Sequence, residues 1–520
     1  MRSGAWRAGS KLLVLSVCIL CSTVVQGQLV DSQRGAPIID TENTSAALLK
    51  LDQLVEQNHL LEEQNRALMT EIEALRGVLA QHDVATNKIA EAETEAAVAA
   101  MNSRPTEVQP QAAANLSEGQ SQPKIWGTYT PNQGFKLANT EYGDLNLSIY
   151  TYVRYLNQRA LNPTYTNAFG DVMTVQQRQD MQIQKVQIKF LGWLGTPKFR
   201  YFLYAWTSNA SQGDPAQVVL AGNVNYTFNK HFNFAGGITS LPGTRSVEGN
   251  FPFWLGVDTR LIADEFFRPS YTSGIWARGQ IVDRLSYQAM LGNNLSTLGV
   301  SAAQLNNKFN TLATALVWTP TTGEFGVGFG DFEDHQQLAT RLAGHFTRSD
   351  EDVQAQPNTN SIENTQIRLE DGSVIFTPNL FGQGISVTDV TYKMAAFDGG
   401  LKYHGYSLDG EYFLRWLDHY KGPGTTGLPE IFSHGFQMQA SAMVLPKALQ
   451  IYLGGSTLYG KYGNPWDFRS GVNWYPWHNR VLRWNAEFLY LQHSPVGYTS
   501  VPFALGGTGP VFHTNVELAF

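Results

Sequence analysis

Between Ile238 and Phe267 the sequence gathers charges of both signs: Arg245 and Arg260, with Arg268 just beyond, against Glu248, Asp258, Asp264 and Glu265. Upstream, Lys185 and Lys189 alternate with Val186, Ile188 and Phe190 in the run Gln182 to Phe190, so one face of that run is apolar and the other basic and polar. No bond-making constellation accompanies these charges. The sequence has no nucleophile elbow of the Gly-x-Ser-x-Gly form, no His-Glu-x-x-His and no phosphate loop, and its 11 histidines are scattered. No cofactor and no metal is expected, and the chemistry left to such charges is electrostatic. A ring of one sign sorts solutes by charge, whereas opposed signs across a narrow aqueous passage sort more by size and dipole. The competing reading is that these are solvated loop charges paired with one another.

The elements that must position them are strands. From Trp126 onward no segment keeps a helical period, while extended runs of roughly 8 to 12 residues recur. Short turns are expected at Gly195-Thr196-Pro197-Lys198, Asn229-Lys230-His231, Asp283-Arg284, Thr321-Thr322-Gly323, Leu408-Asp409-Gly410, Pro446-Lys447 and Trp477-His478-Asn479. They alternate with long polar stretches near 208–217, 241–271, 293–308, 348–388, 419–433, 459–467 and 494–509. Tight turns on one rim and long loops on the other fit an up-and-down barrel crossing a membrane. Aromatic clusters at Tyr201, Phe202, Tyr204 and Trp206, at Trp474, Tyr475 and Trp477, and at Trp484, Phe488 and Tyr490 are candidates for its interfacial girdles. A sheet in lipid must close on itself, because an open edge leaves backbone groups unpaired in hydrocarbon. The expected fold is therefore all-β, a 16-stranded antiparallel transmembrane β-barrel over 126–520, too wide for side chains alone to fill.

The N-terminal quarter differs. Residues 1–27 carry Arg2, Arg7 and Lys11 ahead of an apolar run, which reads as a cleaved signal peptide holding both cysteines, Cys18 and Cys21. A short segment, 28–44, leads into an expected coiled-coil helix over 45–82. Its seam is Leu51, Leu54, Asn58, Leu61, Asn65, Leu68, Ile72, Leu75 and Leu79, and the two asparagines pair only in one register. Residues 83–125, containing Pro105, Pro110 and Pro123, read as a linker. Residues 28–125 hold 15 acids against 7 bases, whereas 126–520 hold 29 against 27, so the acidity belongs to the arm and argues against a nucleic-acid partner for it.

At the other end Phe512, Thr514, Val516, Leu518 and Phe520 alternate with His513, Asn515 and Glu517. This resembles the terminal strand of bacterial outer-membrane barrels, where Phe512, Val516, Leu518 and Phe520 would form the signal read by the barrel assembly machinery. Gln182-Ile183-Gln184-Lys185-Val186-Gln187-Ile188-Lys189-Phe190 with Gly192, Asn223 to Phe228, Asp264 to Pro269, Gly279 to Asn294 and Gly471 to Tyr475 resemble porins of the phosphate-selective O and P type. That resemblance implies a homotrimer of 16-stranded barrels in the outer membrane, with membrane lipid around it and the coiled coil as a periplasmic stalk. It implies passive diffusion of small hydrophilic solutes or anions, and Lys185 and Lys189 match the family's anion path. Gln184 and Gln187 replace part of the basic run, which weakens the case for phosphate. Ile238 to Phe267 stands where a constriction loop would lie. Two other functions compete: a structural anchor acting through its coiled coil, and a barrel hydrolase whose Ser, His and acid meet only in the fold.

Overall fold

The computed structural model describes residues 127–520 apart from 131–132, 208–217, 248–250, 299, 301–303, 306–307, 357–365 and 499. The expected signal peptide, coiled coil with its whole seam, and linker lie outside the described residues, and so does Glu248.

Eighteen strands make one sheet. Two of them, Tyr129–Thr130 and Gly134–Thr140, form a hairpin laid along the start of the first long strand, Gly143–Asn157. The other sixteen run in chain order to Gly509–Ala519, each antiparallel to the next. The last pairs back onto the first, with Asn515 opposite Arg154 and Val516 opposite Val153, so the ring closes without an edge. Alternation assigns the two faces. Ile183, Leu203, Leu220, Leu342 and Leu453 point out and are at least half exposed, a belt that water would not tolerate and lipid solvates. In the final strand Phe512 and Val516 face out, while His513, Asn515 and Glu517 are buried inside. The Phe520 ring lies 5.6 Å from Phe135 of the hairpin.

Three sequence expectations change. Leu408-Asp409-Gly410 is not a turn: Tyr406–Lys421 runs through it, and the reversal falls at His404 and Gly405. Asp and Gly signal turns in water, but inside a barrel with a polar lumen an inward Asp is in phase with the strand. Thr321-Thr322-Gly323 begins not a tight turn but a connection that extends from 319 to 338. Tyr204 and Trp206 are not girdle residues, since they point inward and are buried, whereas Trp474, Trp477 and Trp484 do face out.

Inserted segments occupy much of the interior. Leu161 and Val175 from 158–178, Ile367 and Phe376 from 353–388, and Val501 and Phe503 from 493–508 share one apolar core with inward Tyr392, Phe413, Leu458 and Leu489. The same core takes Phe266 and Phe267 of the short helix Ile262–Phe267, with Phe267 stacked on Phe413 at 5.2 Å. Each buried phenyl contributes about 2 kcal/mol to holding that helix in the barrel.

Candidate functional site

The segment after the strand Phe232–Ser240, described over 241–247 and 251–270, lies in the lumen and leads into the strand that begins at Tyr271. An irregular backbone inside a barrel must find partners for its N–H and C=O groups, and here the wall supplies them. Arg154 Nη2 donates to the Val257 carbonyl at 2.9 Å, Asn473 Nδ2 to Leu255 at 2.9 Å, Arg469 Nη1 to Thr259 at 3.1 Å and Arg483 Nη1 to Trp254 at 2.8 Å. The amide of Arg245 donates to Glu411 at 2.9 Å and that of Ala263 to Ser456 Oγ at 3.0 Å. All these partners belong to the first long strand or to strands after 389, so the segment is pinned against that half of the wall.

The structure brings most of the expected site residues together, but as pairs. Lys185 sits in a bulge, where the partners of Tyr150 and Tyr152 are Gln187 and Gln184, and its φ is +48°. Its Nζ lies 2.6 Å from Asp258 Oδ1, and Asp258 Oδ2 accepts from Tyr152 at 2.7 Å. Glu265 is a hub. Arg260 Nη1 donates to it at 2.8 Å, Arg268 Nη2 at 2.7 Å and the Tyr498 hydroxyl at 2.5 Å, while the Arg260 guanidinium lies 3.8 Å from the Trp254 ring centre. Burial alone would raise this carboxyl, but Arg268 and Arg260 together hold it well below the usual carboxylate range. Asp264 is raised by burial and accepts from Ser246 at 3.0 Å and Thr244 at 3.2 Å. Arg245 stands apart, 3.8 Å from Asp409, with Phe325 and Phe329 rings at 5.4 and 5.0 Å. These charges are buried in ion pairs, neither solvated nor opposed across open water.

Lys189, the remaining expected residue, belongs to a different wall. It faces inward beside Tyr204. Arg200, opposite Asn225, and Arg278, opposite Asn233, share this inward face, and both are exposed. Arg200 and Arg278 are close enough to repel one another. Among the described residues none of these three cations has an ion-pair partner. Sequence reasoning missed Arg200 and Arg278, although the signal was present: each alternates with residues whose apolar faces require the lipid side, Leu203 in one strand and Ile275 in the other.

Where the crossing segment meets the strands that carry Lys185 and Trp206, a small cavity of about 20 Å³ is lined by Lys185, Gln187, Tyr204, Trp206, Phe251, Trp254, Arg260 and Tyr271. That is room for about one water molecule. Trp206 Nε1 and Gln187 Oε1, on two of the lining side chains, are buried without a partner among the described residues.

His345, Asp398 and Glu411 have the donor types of a metal site and lie close together. Their atoms are already engaged: Asp398 takes Arg341 at 2.8 Å and His345 Nε2 at 2.7 Å, His345 Nδ1 faces the Pro242 carbonyl at 3.1 Å, and Glu411 holds Arg245 and Gln437. The cluster fastens the start of the lumen segment.

At the tight-turn rim His335 Nε2 lies 3.1 Å from Glu324, and Nδ1 hydrogen-bonds Asp331, which also accepts from the Gly405 amide at 2.9 Å. Asp331 and then Glu324 raise the imidazole to about 9. A raised pKa means that the clamp contributes fully below about 6.5, the ordinary value, and is lost as pH climbs through the folded one. Exchange of the Gly405 amide should therefore accelerate as pH passes about 9. His335→Gln should show that faster exchange, corrected for intrinsic rates, already at neutral pH. Equal protection in both proteins at both pH values would contradict the clamp.

Antiparallel closure, a lipid-facing belt and a polar lumen crossed by an inserted segment define the class: a transmembrane β-barrel of channel type. No protein-family model matches the sequence, and no curated protein is found similar to it. Solved structures similar to it are outer-membrane porins and channels. The outer membrane protein OmpT of Vibrio cholerae, in its trimer form, is 12% identical over 73% of this chain and 100% of that one, with a TM-score of 0.45. The anion-selective porin from Comamonas acidovorans is 11% identical over 73% and 100%, at 0.46, and the outer membrane channel DcaP of Acinetobacter baumannii 8% identical over 74% and 99%, at 0.44. Identities this low leave selectivity to this chain's own residues.

Proposed function

We propose that this protein is an outer-membrane porin that lets small hydrophilic solutes diffuse passively, with a preference for anions. The observation that carries the reading is the closed sixteen-strand ring, apolar outside, whose inner wall presents Lys189, Arg200 and Arg278 with no acid paired to them among the described residues. Asn223, Asn225 and Gln288 continue the same partly exposed inner wall with neutral hydrogen-bonding groups, which suits hydrated solutes passing close to the cations. The sequence resemblance supports a homotrimer of phosphate-selective porin kind, with 45–82 as a periplasmic coiled-coil stalk, and the final strand supports recognition by the barrel assembly machinery.

Purified protein in a planar bilayer should give stepwise conductance, and a salt gradient should give a reversal potential of the sign set by anion flow. A cation-selective potential would remove the anion preference and leave the porin. The filled half of the lumen favours a second reading, a barrel that mainly anchors its N-terminal arm. A membrane that stays silent while folded protein inserts would establish that reading instead.

A further inference from the structure

On the rim where the other strands are joined by reversals of a few residues, such as Gly195, Lys230 and His231, or His404 and Gly405, one connection runs from 319 to 338. A hairpin there needs about two to five residues. The surplus does not lie on the rim but rises into the barrel and meets the 241–270 segment. The Phe329 amide donates to the Phe253 carbonyl at 2.8 Å. The Gly328 carbonyl accepts from Arg245 Nη2 at 2.9 Å and from wall residue Lys402 at 3.1 Å. Phe329 packs with Trp254 and Leu255 of the crossing segment and with Tyr452 of the wall. Below this contact the Arg480 guanidinium sits 4.7 Å from the Phe253 ring and 4.8 Å from the Phe332 ring and pairs with Glu333 at 3.0 Å.

Gly328 makes the close approach possible. Its φ is +74°, and a Cβ there would stand 2.2 Å from the Phe253 carbonyl oxygen. Gly326 and Gly330, also at positive φ, flank it. The consequence is asymmetric. Lys402, the far-wall cation that Gly328 and Phe325 cover, is fully buried, while Arg200 and Arg278 on the near wall stay exposed.

We infer that 319–338 is a second constriction element, inserted from the rim opposite the long loops, which abuts the 241–270 segment and confines solutes to the half of the lumen walled by Lys189, Arg200 and Arg278. It sets the size limit of the channel and forces every solute past the near wall's cations. The inference rests on the porin reading.

The test replaces 321–336 by Asn-Gly, a two-residue hairpin turn, in the full chain and compares single-channel current and exclusion of neutral polymers with wild type. Removing the element should raise conductance about two-fold and admit larger polymers, while anion preference persists because the widened route runs past Lys402, which Gly328 and Phe325 cover in the wild type. Gly328→Val, which keeps the length and only drives the two segments apart, should raise conductance and polymer cut-off in the same direction. Wild-type conductance and polymer cut-off in both variants, with each migrating as a folded barrel, overturn the inference while leaving the porin intact. A wild-type protein that does not conduct overturns the porin reading and the inference with it.

Discussion

Changing Lys189, Arg200 and Arg278 together to glutamine should abolish the channel's anion preference and bring its reversal potential in a salt gradient close to that of an unselective pore. An anion passing about 7 Å from one such cation gains about 0.6 kcal/mol in water-like surroundings, and three give about 1.8 kcal/mol. Screening at 0.1 M salt roughly halves this, so anions should be enriched about five-fold over their neutral expectation beside these cations. That enrichment is what the triple variant removes. Side-chain volume changes little, so conductance at high salt, where screening has already flattened the field, should stay near wild type. Lys185→Gln supplies the contrast, because Asp258 at 2.6 Å already cancels its charge and selectivity should move in the cation direction through the freed carboxylate. A triple variant with unchanged reversal potential would place the selectivity elsewhere in the lumen.

Much of this architecture was legible because strand alternation in a membrane barrel is a strict code. Val186, Ile188 and Phe190 must meet lipid, and that alone fixes Lys189 as inward. The final strand follows the same rule from Phe512 to Leu518. The code failed where inward polarity mimics a turn. Asp409 and Gly410 lie mid-strand, and Asp409 faces Arg245. It also failed at Gly326, Gly328 and Gly330, whose spacing of two hides a segment that climbs into the lumen. Tyr204 and Trp206 alternate as girdle rings would, but they stand on the inward phase, where Leu298 and Tyr271 cover them. The mixed charges near 245–268 could be found in the sequence, but their pairing could not. Which arginine reaches Glu265 depends on the six-residue helix Ile262–Phe267, and that helix is held by wall contacts more than a hundred residues away in the chain. So short a helix has no stability of its own and no periodicity long enough to read.

Glu265→Gln should detach that helix from its place in the lumen without unfolding the barrel. One carboxylate there serves two guanidiniums and a phenol, and all of the charged partners are nearly sealed from water: the side chains of Arg260, Arg268 and Glu265 are 5%, 1% and 2% exposed. Removing one member of a buried ion pair leaves an uncompensated charge and typically costs about 3–5 kcal/mol. That is comparable to the roughly 4 kcal/mol expected from burying Phe266 and Phe267, so the balance that keeps the helix docked is largely offset. The sixteen-strand ring does not depend on this cluster, and its heat-resistant migration should persist. The readouts are trypsin cleavage after Arg260, which Leu261 follows, blocked in the wild type and opened in the variant, and a noisier single-channel current as the segment moves. Glu265→Gln/Arg268→Gln should recover part of the protection, because deleting a buried pair costs less than deleting half of it. The same sign governs pH: since Glu265 titrates below the ordinary carboxylate range, the docked state should survive mild acid and loosen only when pH falls beneath it. A Glu265→Gln protein that is as protease-resistant and as quiet as the wild type would show that the apolar contacts alone hold the segment across the lumen.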